Sequence, residues 1–429
     1  MLVLPLAVAA PLAPDTVARP IGLADALALA RDHALAAVQS RGDVRTNAAA
    51  ERSAWGAFIP NASVSLGTSH QYPTGGTRTE NGQVIIVQGD PWSYSAGLSA
   101  NVALFEGGRR LFDVQQARAN TAAAKAGELE QRYQVDLAVK QAYYAIQAAR
   151  ENQLAARAQL EQTEQQLRIT ALRVRAGNAM PSDSLRAQIP VLNAQVAVLE
   201  ARDALRVADV VFTHAVGSFE LLTAAPADTA APPPLEVGET QLAAWADTGP
   251  QVQRARKQLD AARAGHDASW TSYLPTVTAG YSRNGNGSGQ TFDFNDGDLQ
   301  YSGSLRFSLN FPLFDQFGRE EQLVRTDVAL DNADAALKDA YQEAREALAR
   351  DLSALRSAEA RVTAQTGAIL AGGEDLRVQQ RRYATGEGLL LDVLVSQATL
   401  IQARQALIQA RYDQRVALAQ IEALIGRDL

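Results

Sequence analysis

Two stretches of this chain permit helix and little else, over a length that no globular core requires. Arg110 to Ala176 is about 67 residues without proline and with only Gly127 inside, and Gly318 to Thr385 behaves alike, with Gly367 and the pair Gly372 and Gly373 inside. At ~1.5 Å per residue each could extend roughly 100 Å. The helices that follow carry a seam: Val191, Ala194, Val198, Ala201, Leu205, Ala208, Phe212 and Ala215 are spaced alternately three and four apart. Leu400, Ala403, Leu407, Ala410, Gln414, Ala417, Ile421 and Leu424 repeat that spacing. Small residues alternating with large ones at heptad positions allow close antiparallel packing, so the pattern predicts two long helical hairpins.

The second copy of the seam belongs to a wider duplication. Trp55, Phe58, Ile59 and Pro60 recur with the same spacing as Trp270, Tyr273, Leu274 and Pro275. From Leu104 onward the register holds at an offset of 209: Leu104, Phe105 and Arg110 match Leu313, Phe314 and Arg319, while Gly177, Asp183, Leu185 and Gly217 match Gly386, Asp392, Leu394 and Gly426. The reading is a first repeat over 21–217, a Pro- and Ala-rich linker over 218–240 and a second repeat over 241–426.

Each repeat opens with a helical pattern, Leu23 to Phe58 in the first, and then turns to strands. Trp92 to Leu104 places Trp92, Tyr94, Ala96, Leu98, Ala100 and Val102 on one face and Ser93, Ser95, Gly97, Ser99 and Asn101 on the other. Tyr301, Leu305, Phe307 and Leu309 alternate likewise with Ser302, Ser304, Arg306 and Ser308. This is period two, the signature of a strand with one apolar face. With shorter alternations after Pro60 and Pro275, four strands are expected, over about 61–72, 92–105, 276–283 and 300–314. The Gly- and Asn-rich segments Pro73 to Pro91 and Arg283 to Leu299 read as exposed hairpin tips; Asn284 to Gly289 lacks the following Lys-Ser/Thr and helix of a phosphate cradle.

Composition removes much chemistry. There is no cysteine, hence no disulfide, thiolate metal site or cysteine nucleophile. The formal net charge of −7 argues against a nucleic-acid partner. His33, His70, His214 and His266 are scattered without metal-ligand spacing. No nucleophile arrangement, cofactor motif or metal site emerges, and the chain reads as a non-enzyme. Met1 to Ala13 resembles the hydrophobic part of a signal peptide without its basic start, and no other stretch reaches the length of a membrane-spanning helix. Insertion in a membrane must then be by strands. Four strands cannot close a barrel alone, whereas three chains would supply twelve. Tyr72, Trp92, Tyr94 and Tyr301, near strand ends, are placed for a membrane aromatic girdle.

These residues resemble the TolC family of outer-membrane efflux channels over nearly the whole chain, from about Ile21 to Gly426. The resemblance rests on Trp55 to Pro60, on LFEGGRR at Leu104 to Arg110, on PLFDQFGR at Pro312 to Arg319, and on Tyr383-Ala-Thr-Gly386 followed by Leu391-Asp392-Val393-Leu394. It implies an α-dominated fold whose four membrane strands form one third of a trimeric twelve-stranded barrel, continued by an α-barrel tunnel of coiled-coil hairpins. It further implies an outer-membrane location with a large periplasmic portion, a homotrimer, and a passive exit duct. The duct would dock to a periplasmic adaptor protein and an inner-membrane transporter, in efflux or type I secretion, with outer-membrane lipid around the barrel.

Gly177 and Gly386 reverse the hairpins. Carried over from the family, Ala176, Gly177 and Asn178 and Thr385, Gly386 and Glu387 fall on adaptor-contacting tips, while Asp183 and Asp392 fall on tip aspartates, Asp392 on one lining the closed entrance. A carboxylate in the first turn of a helix also stabilises that helix by itself, so both roles stay open for each Asp. Val395 and Gly388 depart from the family, standing where a second Asp and an Arg can occur, which shifts the expected gate towards apolar contacts of Leu389, Leu390 and Leu391. Tyr383 is placed to hydrogen-bond across hairpins. A periplasmic adaptor and an envelope scaffold are the alternatives; the first lacks its lipoyl-like half-motifs here, and the second leaves the aromatic-tipped strands unused.

Overall fold

A computed structural model describes residues 18–72, 76–80, 82–87, 89–226, 237–292 and 299–429. The signal-like segment and residues 227–236 of the linker lie outside the described residues. The elements in order are β1 (Arg19–Ile21), α1 (Leu23–His33), α2 (Leu35–Gly56), β2 (Asn61–His70), β3 (Gly76–Glu80), β4 (Gln83–Val87), β5 (Trp92–Glu106), α3 (Arg109–Arg175), α4 (Pro181–Val216), β6 (Leu222–Ala224), α5 (Glu239–Ala246), α6 (Pro250–Ser269), β7 (Thr276–Gly289), β8 (Gln300–Asn310), α7 (Gly318–Thr385) and α8 (Leu390–Ile425). No described helix is long and apolar enough to cross a membrane. The chain divides into two compact units: one of residues up to Asp43, Lys125–Arg254 and Lys338–Leu429, the other of Val44–Ala124 and Ala255–Leu337.

The second of these holds a four-stranded antiparallel sheet in the order β2-β5-β7-β8. Its register sorts the side chains by chemistry. Val64 pairs with Leu98, Ala100 with Tyr281 and Ala279 with Phe307 on one face, and Val64, Leu305, Phe307 and Leu309 are each at least 65% exposed there. On the opposite face Ser63, Ser99, Ser282 and Ser304 form one continuous row, with hydroxyl contacts of 2.7 Å between the first two and 3.0 Å between the last two. An apolar face left in the open and a hydroxyl face opposite it are the reverse of a soluble sandwich, which would bury the apolar side. β7 runs on to Gly289, so Asn284 to Gly289, read from sequence as part of a loop tip, is strand paired with Trp92 to Gly97. Glycine discourages strands by itself, but pairing with β5 supplies the backbone partners that override it. The segment between β2 and β5 also contains its own two-stranded hairpin, β3-β4.

The duplication is visible where strand becomes helix. Gly107 and Gly108 adopt φ of +61° and +82°, and the residues 209 positions later, Gln316 and Phe317, adopt +59° and +66°. The same left-handed turn is thus made twice, once without glycine. An arginine braces each copy. Arg110 lies 5.2 Å over the Phe58 ring, pairs with Glu106 and donates to Ala57 O and Ala103 O, while Arg319 lies 5.0 Å over Tyr273, pairs with Asp315 and donates to Pro312 O. The two arginines therefore open the helices and tie them to the residues flanking the strands.

In the other unit the long helices pair antiparallel. Tyr143 of α3 meets Phe212 of α4 with ring centroids 5.9 Å apart; α7 and α8 share a core of Leu348, Leu352, Leu355, Ala417, Ile421 and Ile425, and Arg361 pairs with Asp413 at 3.0 Å. α7 passes Gly372 and Gly373 without a break, and a Cβ at Gly372 would meet Leu400 of α8 at 3.8 Å. Lys140 of α3 is clamped by Glu422 of α8 at 2.6 Å, both side chains nearly enclosed. Burial works against that ammonium, yet the Glu422 hydrogen bond and charge hold its pKa above the ordinary value. The helical pattern at the start breaks at Ala34 into α1 and α2, and Arg31 of α1 grips Asp136 through two hydrogen bonds of 2.9 and 2.6 Å. Part of the expected linker is ordered: Leu222–Ala224 forms β6, parallel to β1, with Leu222 and Ala224 buried in the core beside α3 and α4.

The paired turns make a direct prediction. Gln316→Gly relieves a left-handed backbone cost of about 1 kcal/mol and should raise the thermal unfolding temperature. Gly107→Ala should lower it, because the new Cβ would stand 2.5 Å from Cβ of Leu274, an overpacking penalty of about 1–3 kcal/mol. Thermal unfolding of both variants in detergent checks the pair; shifts of the same sign would contradict the shared turn geometry.

Candidate functional site at the hairpin tips

α3 ends in a left-handed Gly177 (φ +75°) with Asn178 N donating to Arg173 O at 2.8 Å, and α7 ends in Gly386 (φ +84°) with Glu387 N donating to Arg382 O at 2.9 Å. Both are six-to-one closures that absorb the last free carbonyls of a helix. A side chain at either glycine would meet open space, so it is the backbone angle alone that favours glycine there. Ala176, Gly177, Asn178, Thr385, Gly386 and Glu387 are all exposed, as a docking edge requires.

Arg173, which the sequence reading passed over, joins the two tips. Its guanidinium stacks 4.6 Å over the Tyr383 ring and donates to Tyr383 O, to Ala384 O at 2.8 Å and to Asn178 O at 3.4 Å. One cation thus bonds carbonyls of both turns, the interaction that a helix C-terminus favours. Its signal in the sequence was an arginine in the last turn of α3, a common feature with no partner visible until the second hairpin is in place. Tyr383 is buried, its hydroxyl without a partner among the described residues.

Leu390 does not belong with the exposed leucines. It packs with Tyr383, Val393, Leu376 and Ala187 in the tip core, whereas Leu389 and Leu391 are 67% and 58% exposed. The reason is helical periodicity: Leu390, Val393 and Leu400 fall on the seam of α8, which turns the neighbouring leucines outward. Of the three leucines, only Leu389 and Leu391 present their side chains at the surface. Asp392 is exposed, and its carboxylate accepts from Leu389 N at 3.4 Å, a helix-capping contact that leaves its outer side open. Asp183 takes the same third position in α4, with its backbone N donating to Met180 O at 2.9 Å. Ser396 donates to Asp375 at 2.5 Å, pinning α8 to α7 one layer above. That hydrogen bond, helped by the Gln379 amide and opposed by desolvation, holds the Asp375 carboxyl below the usual carboxylate range.

The aromatic residues expected as a girdle belong to the sheet unit, and the tips to the other. Tyr72 is 82% and Tyr301 54% exposed, and Trp92 joins His70 and Phe292 in a ring cluster. Tyr94 departs from that expectation: it is buried, its hydroxyl donating to Thr291 O at 2.5 Å, because the chain after Gly289 folds over its ring. Among the described residues no group of three His, Asp or Glu side chains is placed to hold a metal.

The profile of the family described as outer membrane efflux protein matches residues 26–218 and 246–427. The chain is 27% identical over 401 residues to Protein CyaE of Bordetella pertussis, an alignment covering 90% of this chain and 80% of that one. It is 27% identical over 354 residues to the pyoverdine export outer membrane protein OpmQ of Pseudomonas aeruginosa, covering 78% and 69%. The crystal structure of the outer membrane protein VceC of Vibrio cholerae shares the fold, with a TM-score of 0.77 at 17% identity over 95% of this chain and 96% of that one.

Two outcomes follow for the tips. Arg173→Met should leave the helices intact but speed hydrogen exchange of the Gly386 and Glu387 amides by about tenfold, the loss of one charge-assisted bond; unchanged exchange would show that the turns hold without it. The Asp375 carboxyl contributes stability that is fully present above its unfolded pKa of roughly 4 and lost as pH falls through its lower folded value. In Ser396→Ala, NMR titration should find the Asp375 pKa raised towards the ordinary value, with α7–α8 contacts already weaker at neutral pH and their further loosening in acid smaller than in the parent.

Proposed function

The chain belongs to the outer membrane efflux protein family, and from that premise we propose that three copies form a passive exit duct whose hairpin tips dock to a periplasmic adaptor and, through it, to an inner-membrane pump. The observation that carries this reading is the sheet. Its order β2-β5-β7-β8 leaves β2 and β8 as edges, and its even number of alternating strands lets β8 of one copy meet β2 of the next antiparallel. Three copies give the twelve strands that the family resemblance implies, with the hydroxyl rows lining a wet lumen and the apolar rows facing lipid. No chemistry is asked of the duct; energy and most selectivity fall to the pump. In OpmQ the name itself specifies pyoverdine export; cargo here is set by whichever pump the adaptor brings.

The tips fit the docking role because their exposed residues are presented by two glycine turns held in one geometry by Arg173. Asp392 serves both as a helix cap and, with its two counterparts in the trimer, as the acidic ring of the entrance, beside which Leu389 and Leu391 supply apolar closure.

The decisive experiment separates insertion from docking. Leu305→Arg and Phe307→Arg each place a cation on the middle of the lipid face at roughly 2–4 kcal/mol per chain, and both should abolish the heat-modifiable trimer in outer-membrane fractions. Photo-crosslinkers at Asn178 or Glu387 should leave that trimer intact and capture a co-expressed adaptor. Normal insertion of the arginine variants would overturn the face assignment, and crosslinks to the adaptor from strand residues instead of tips would overturn the docking assignment.

A further inference from the structure

The outward face of the sheet carries one charge that neither duct nor docking uses. Along β2, β5, β7 and β8 the apolar face holds Arg283 as its only Lys, Arg, Asp or Glu side chain among the described residues. Arg283 is exposed, forms no ion pair among the described residues, and lies with its guanidinium 5.0 Å over the ring of Tyr301. The ring in turn lies flat on the sheet: a Cβ on the paired Gly285 would stand 2.6 Å from it. Glycine at that position is therefore what lets the aromatic ring lie down and the cation rest upon it.

Beside this stacked pair the sheet dips into a depression of about 400 Å³ floored by Val64, Leu66, Ala96 and Leu98. One end is cationic and planar, and the rest is aliphatic. A guanidinium stacked on an aromatic ring keeps its outer N–H groups free in the fork that matches a phosphate. The side chain leans from its own strand pair towards Tyr301, hence towards the strand ends remote from the residues where the helices attach, the end that also carries Tyr72 and Trp92. An arginine left on a lipid face is costly unless it reaches the headgroup layer and finds an anion there.

We propose that Arg283, stacked on Tyr301, binds the phosphate of an anionic lipid of the outer leaflet, one acyl chain of which occupies the adjoining depression. The site rests on the reading above that this face meets lipid and that the helices lie on the periplasmic side. Its ligand class is a phosphorylated amphiphile; a soluble phosphate would leave the aliphatic floor unfilled. Such a lipid would also be held near β8, one of the two edges at which copies join.

The test uses the full chain purified in detergent as the oligomer it forms, with native mass spectrometry counting bound diphosphoryl lipid A, the same lipid stripped of its phosphates, and inorganic phosphate as competitor. The parent should retain diphosphoryl lipid A, and Arg283→Gln should bind it about tenfold more weakly, the value of one charge-assisted contact. Arg283→Lys keeps the charge but loses the fork and should fall between them, while the stripped lipid should bind parent and variants alike. Equal binding of diphosphoryl lipid A by all three proteins would overturn the proposal, as would its displacement by millimolar inorganic phosphate, which would mark a free-anion site. If the parent never reaches the outer-membrane fraction, the underlying reading fails; if Arg283→Gln inserts normally and binds the lipid as the parent does, only this proposal fails.

Discussion

A backbone N–H or C=O without a partner in hydrocarbon costs several kcal/mol, and β2 and β8 each present a row of them along one side. That requirement shapes the rest of the chain. A sheet with an exposed apolar face and two open edges is unstable in water and equally unstable alone in lipid, so its partners must be further strands. The fold provides them by symmetry: an even, alternating sheet can join end to end with copies of itself. The long hairpins then follow as the continuation of each strand pair, attached through the left-handed turns at Gly107-Gly108 and Gln316-Phe317.

The duplication accounts for much of the internal economy. Each repeat supplies two strands and one hairpin, and each braces its strand-to-helix turn with an arginine over an aromatic ring, Arg110 over Phe58 and Arg319 over Tyr273. The copies differ where their environments differ. Gln316 and Phe317 keep the backbone of the glycines they correspond to, at a cost in strain. At the tips both copies keep glycine and an arginine four residues before it, Arg173 and Arg382, and Arg173 is the one that reaches across to the carbonyls of the other turn. That side chain adds a polar tie to hairpins already joined by the tip core around Ala187, Leu376 and Leu390 and by the Lys140–Glu422 pair.

Periodicity made the larger features legible. Alternation over Trp92 to Leu104 and three-four spacing over Val191 to Ala215 correspond to β5 and α4, since strand pleat and helix pitch impose those periods on any half-buried element. What escaped the sequence depended on partners distant in the chain. β6 reads as linker because three residues have no period, and only pairing with β1 makes them a strand. Asn284 to Gly289 reads as a loop because glycine favours turns, and only β5 beside it holds it extended. Leu389 to Leu391 reads as one apolar patch, whereas the seam takes Leu390 inward. Arg173 and Arg283 look like ordinary surface cations until Tyr383 and Tyr301 are brought beneath them.

The central claim is that one face of the sheet meets lipid and the other water. The chain contains no cysteine, so single cysteines placed in turn from Ser302 to Ser308 report on β8 one residue at a time. Labelling of the membrane-inserted protein by a water-soluble maleimide should alternate, strong at 302, 304, 306 and 308 and weak at 303, 305 and 307. Uniform labelling, or alternation in the opposite phase, would contradict it.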